Sequence, residues 1–153
     1  KEKIMNTYSE QVGKKLNDLL EKTYDAEKGF KKAAENVENV ALKNYFNTKA
    51  EERYSFGHEL KTEIRAFNQE IDKGGSITGS AHRAWMDIKG FLSLDSEESM
   101  LEEAIRGEKA AVEEYQEIIN DTSLPSSTRD ILVSQKNKIE NGLQNIKSLE
   151  NIH

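Results

Sequence analysis

The sequence contains no cysteine among its 153 residues. That excludes disulfides, thiol catalysis and thiolate-bound metal, and it leaves the redox compartment unspecified. Proline occurs once, at Pro125, so a ring that removes a backbone donor interrupts helix at only one place. Aromatic residues make up only 7% of the chain, with a single tryptophan, so large anchors for a core are few. No apolar run approaches the roughly 18 residues that a membrane-crossing helix needs. No group of Lys and Arg forms a basic face and the net charge is −6, which argues against nucleic acid as a partner. No signal peptide is visible, and a cytoplasmic location is the expectation.

What is present is helix-forming material. Charged residues make up 33% and hydrophobic residues 35%, a polar balance that a bundle tolerates because each helix needs only one apolar stripe. The first helix is predicted from about Thr7 to Asn36, with Leu16, Leu20, Thr23, Glu27, Phe30, Ala34 and Val37 at alternating spacings of four and three. After a turn at residues 36–39, a second helix from Val40 to Asp72 carries Phe46, Ala50, Arg53, Gly57, Leu60, Ile64, Phe67 and Ile71. Gly74-Gly75 is the predicted stop. A short crossover helix follows, with Ile77, Ala81, Trp85, Ile88 and Leu92 on one face. Asp95 or Ser96 caps a third helix over Glu97–Asn120, with the stripe Leu101, Ala104 or Ile105, Glu108, Ala111, Tyr115 and Ile118. The last helix, Ser126 to Ile152, turns Ile131, Gln135, Lys138, Gly142, Ile146 and Leu149 inward.

The halves resemble each other. Asp25-Ala26-Glu27-Lys28-Gly29 matches Arg106-Gly107-Glu108-Lys109-Ala110 at an offset of 81, and Phe46, Arg53, Gly57 and Ile64 fall on Ile131, Lys138, Gly142 and Leu149 at an offset of 85. Two hairpins joined by a crossover make an all-α, ferritin-like four-helix bundle, expected as one domain over residues 1–153. Gly29, Gly57, Gly107 and Gly142 lie inside predicted helices. Those on the stripes, Gly57 and Gly142, are expected to permit a close backbone approach; nothing in the pattern explains Gly29 and Gly107.

One glutamate interrupts the apolar line in each half, Glu27 and Glu108, and a carboxylate inside a bundle needs a partner or a metal. In ferritin-like metal proteins two helices each give a Glu and the other two each give Glu-x-x-His. Glu27 and Glu108 supply the first half of that pattern as candidate iron or manganese ligands. Glu51, Glu52 and Glu140 are the further candidates. Glu51 and Glu52 are followed three residues on by Tyr54 and Ser55 instead of His. The preferred reading is electrostatic and needs no cofactor: Arg53 pairs with Glu27, and Lys138 with Glu108, each across its own hairpin. Buried pairs of this kind hold register more than they add stability. His58 and His82 are lone histidines, and Trp85 is a core anchor. The alternative for the Trp85 face is contact with a second subunit, giving a homodimer. No nucleophile–base pair or zinc signature occurs, and Gly-Ser-Ile-Thr-Gly lacks the ending of a phosphate loop.

Gly75-Ser76-Ile77-Thr78-Gly79, His82-Arg83, Trp85 and Lys89 form a GSxxGxxHRxWxxxK pattern. It resembles the crossover signature of a bacterial family of ferritin-like bundles, domain of unknown function 2383. Leu16-Asn17-Asp18-Leu19, Glu27-Lys28-Gly29-Phe30 and Gly107-Glu108 also resemble that family, so the likeness runs from about Leu16 to Leu149. It implies a ferritin-like bundle from a bacterium and brings no activity, substrate or cofactor with it. The resulting expectation is a non-enzymatic, stress-related or partner-binding bundle, with a metal-dependent redox protein as the alternative.

Overall fold

A computed structural model of the chain describes residues 2–71, 96–121 and 123–146. Within them lie four helices, α1 (Glu2–Glu35), α2 (Val40–Ala66), α3 (Glu97–Asp121) and α4 (Ser126–Asn145), and no strand. The expected four-helix bundle is therefore present. The predicted crossover helix, with His82, Arg83 and Trp85, lies outside the described residues, as does Leu149.

Local chemistry sets the helix ends. Asn39 caps α2, its side-chain oxygen accepting the Leu42 N–H at 2.9 Å. Ser96 caps α3 by accepting the Ser99 N–H at 3.1 Å. The second helix stops earlier than its apolar stripe predicts. Asn68 adopts φ 57°, the left-handed region, and the N–H groups of Asn68 and Gln69 donate back to the carbonyls of Arg65 (2.9 Å) and Ile64 (3.2 Å). These two bonds close the last turn as a Schellman motif, with Asn in the place usually held by Gly. The stripe extends to Ile71, but the helix does not, because one left-handed residue redirects the chain.

The apolar core is in two parts. One gathers Phe30, Ala33, Ala34 and Val37 of α1, Leu42, Phe46 and Ala50 of α2, and Met100, Leu101 and Ala104 of α3, with Ile146 beside it. The other gathers Val12, Leu16, Leu19 and Leu20 of α1, Phe56, Leu60 and Ile64 of α2, Tyr115 and Ile119 of α3, and Leu132 and Ile139 of α4. The end of α1 thus meets the starts of both α2 and α3. It follows that α2 and α3 run parallel, and that α2 ends at the opposite end of the bundle from where α3 begins. With 27 residues, α2 is about 40 Å long.

Helix α4 presents a different face from the one expected. Thr128, Leu132, Gln135 and Ile139 are buried, whereas Lys138 is exposed and Ile131 only half-buried. The four-three-four spacing of the buried set places two aliphatic side chains inside and leaves the ammonium in water. The expected face would have buried Lys138 and left Ile139 out. The repeat between α2 and α4 is correspondingly offset by 86, which aligns Leu42, Phe46, Lys49 and Arg53 with Thr128, Leu132, Gln135 and Ile139.

The helical glycines also depart from expectation. A methyl group at Gly57 would touch Tyr24 and Leu20 side chains at 3.7 and 3.8 Å, ordinary contact distances, and one at Gly107 would meet nothing within 4 Å. Neither position requires glycine for close packing. Gly57→Ala and Gly107→Ala are each expected to raise the unfolding free energy by about 1 kcal/mol through helix propensity. Urea titration of the two variants checks this, and a loss at Gly107 would contradict its open surroundings.

Candidate functional site

Between the two apolar clusters lies a polar layer. Its centre is the carboxylate of Glu108, only 3% exposed, on the inward stripe of α3 between Ala104 and Tyr115. Arg53, also 3% exposed, reaches it from α2. The guanidinium is two-pronged on the carboxylate: Nη2 donates to Oε1, and Nη1 donates to Oε2 at 3.4 Å. Such fork-to-fork pairs are the geometry for which arginine is suited and lysine is not. Nη1 also donates to Glu52 Oε1 at 3.2 Å. The guanidinium carbon lies 5.7 Å from the Phe30 ring of α1 and 5.6 Å from the Phe56 ring of α2, so aromatic faces flank the charge.

A second cation completes the layer. Lys49, one turn before Arg53, is buried with its Nζ 3.6 Å from Glu52 and 3.8 Å from Glu108. A Cβ built at Gly142 of α4 would lie 2.5 Å from that Nζ. Glycine at this position therefore makes room for an ammonium, not for a neighbouring backbone. Tyr45 borders the layer. Burial pushes its phenol well above the usual tyrosine range, and the Glu108 carboxylate adds to the shift.

A further polar group is set into the second apolar cluster. The Tyr115 hydroxyl donates to Gln135 Oε1 at 2.6 Å, and the Gln135 amide donates to the Phe56 carbonyl at 3.3 Å and to Glu59 at 3.1 Å. Burial likewise raises the Tyr115 phenol far above its ordinary value. Both phenols are thus neutral in the fold at pH values where an unfolded chain ionises them. Their contribution to stability is complete below about pH 10 and is lost as pH rises beyond it. Urea midpoints measured from about pH 8 to about pH 11 should be flat at first and then fall, and Tyr115→Phe should reduce the fall. A midpoint that rises above about pH 10 contradicts the burial of both phenols.

The structure brings Arg53 and Glu108 together, but across the two hairpins instead of within one. Glu27 is 15% exposed and pairs with Lys31 one turn along its own helix at 2.8 Å. The expected Arg53–Glu27 and Lys138–Glu108 pairings are not formed. Lys138 stands at the surface with its Nζ 5.9 Å from the Phe56 ring, because α4 turns Ile139 inward in its place. Sequence reasoning does not single out Lys49. Its signal is a position one turn before Arg53, on the flank of the Phe46–Ala50 stripe.

The donor set does not fit a di-metal carboxylate centre. Among the described residues, no three His, Cys, Asp or Glu side chains are grouped to hold a metal ion. Both oxygens of Glu108 accept from a guanidinium, and an ammonium stands near them. His58 is exposed on α2, edge-on to Tyr54 at 4.6 Å.

The family described as a domain of unknown function (DUF2383) matches residues 11–121, from the first third of α1 to the end of α3. The chain belongs to that family. The DUF2383 match thus takes in Glu27, Lys49, Glu52, Arg53 and Glu108, while α4, with Gln135 and Gly142, lies beyond it. No curated protein matches the chain. No described helix is long and apolar enough to cross a membrane.

Proposed function

We propose that this chain is a non-enzymatic, ferritin-like bundle protein that acts by binding a partner, with an internal ion-pair layer where ferritins keep a metal centre. The observation that carries this reading is the two-pronged Arg53–Glu108 pair at mid-bundle. The parallel arrangement of α2 and α3 supports the ferritin-like assignment. A stress-related role in a bacterium accords with it. The charged layer fixes the register of one hairpin on the other, as buried polar groups do where an all-apolar seam would let helices slide.

Metal analysis of protein purified without chelator tests the reading. Iron and manganese are expected well below stoichiometric, and unchanged in the double variant Glu27→Ala/Glu108→Ala. Stoichiometric metal that this variant loses would overturn the proposal and favour a metal-dependent redox protein.

A further inference from the structure

We infer that Lys49 and Arg53 exclude divalent metal ions from a layer whose carboxylates are placed to bridge two cations. This rests on the reading above. Glu52 Oε1 lies 3.2 Å from Arg53 Nη1 and 3.6 Å from Lys49 Nζ. Glu108 Oε2 lies 3.4 Å from Arg53 Nη1 and 3.8 Å from Lys49 Nζ. Each carboxylate faces both cations, and each cation faces both carboxylates. The four charges cancel.

Two cations bridged by carboxylates from facing helices is the arrangement that di-metal bundles build with ions from solution. Here both positions are filled by groups tethered to the chain. A divalent ion must displace a guanidinium held at two points, or an ammonium seated over Gly142, before it reaches an oxygen. The surroundings suit organic cations. The Phe30 and Phe56 rings flank the guanidinium and offer no oxygen to a hard ion. Glycine at 142 leaves the volume that the ammonium occupies. The layer is therefore specialised for its own side chains, and metal selectivity is decided at positions 49 and 53.

The test uses the full chain and Co2+, followed by visible absorption. The wild-type protein is expected to give no ligand-field spectrum. The double variant Arg53→His/Lys49→Ala removes both tethered cations and adds an imidazole beside Glu52 and Glu108. It is expected to bind Co2+ with a distinct visible spectrum, lost when Glu108→Gln is added. A folded double variant that stays silent overturns the inference and leaves the metal-free reading standing. Stoichiometric Co2+ binding by the wild-type protein, abolished by Glu108→Gln, overturns both. If the double variant does not fold, Arg53→His alone carries the test: a spectrum that Glu108→Gln removes supports the inference, and silence overturns it.

Discussion

Arg53→Ala should lower the unfolding free energy by about 3–5 kcal/mol, because it leaves the buried Glu108 carboxylate without its two-pronged partner. Lys49 stays 3.8 Å away and offsets part of the loss, which places the value toward the lower end of the range. Arg53→Lys should recover only part of it. A single ammonium cannot donate to both oxygens in parallel, and it loses the planar face set between Phe30 and Phe56. Removing both charges is a different experiment. Arg53→Met/Glu108→Leu leaves Lys49 with Glu52 and no orphaned ion, so its stability should match or exceed the wild type by about 1–4 kcal/mol. Urea denaturation of the three variants decides the matter. A loss within about 0.5 kcal/mol for Arg53→Ala would mean that the guanidinium faces water.

The second large effect belongs to α4. Leu132→Ala and Ile139→Ala should each cost about 2–5 kcal/mol, since both side chains are fully buried and truncation leaves a cavity. Their neighbours provide the contrast. Lys138→Ala should change stability by no more than about 0.5 kcal/mol, since its side chain is exposed and its ammonium lies 5.9 Å from the Phe56 ring. Ile131→Ala should fall well below Leu132→Ala, because Ile131 is only half-buried. If Ile131 and Lys138 proved the costly pair, α4 would be turned by about one residue and the polar layer would have to be redrawn.

Much of the bundle is legible in the sequence. The inward residues of α1 and α2 follow the four-three spacing closely: Leu16, Leu20, Thr23, Phe30, Ala34 and Val37 on one, Phe46, Ala50, Arg53, Gly57, Leu60 and Ile64 on the other, are all buried. The Ser96 cap and the restart after Pro125 are legible too, because capping depends on a few adjacent atoms. The end of α2 is not. Its stripe continues beyond Ala66, and only the left-handed Asn68 shows where the helix stops.

The candidate site divides in the same way. That Arg53 and Glu108 are inward charges follows from their places on apolar stripes. Which carboxylate Arg53 meets does not follow, because Glu27 and Glu108 occupy equivalent places in their own helices. α4 shows the ambiguity most plainly. The run Ile131-Leu132-Val133 offers neighbouring faces, and the choice between them turns on burying Ile139 in preference to Lys138.

The amino-acid order alone determined four amphipathic helices, the cap at the start of α3, and the presence of charge among the inward residues, since these depend on apolar spacing and on a few adjacent atoms. The tertiary structure alone decided the direction of α3 beside α2, the face that α4 turns inward, and the pairing of Arg53 with Glu108 while Glu27 stays with Lys31. Those depend on the offset and rotation of each helix relative to the others. That relation is settled by all the packing contacts together and is carried by no single segment.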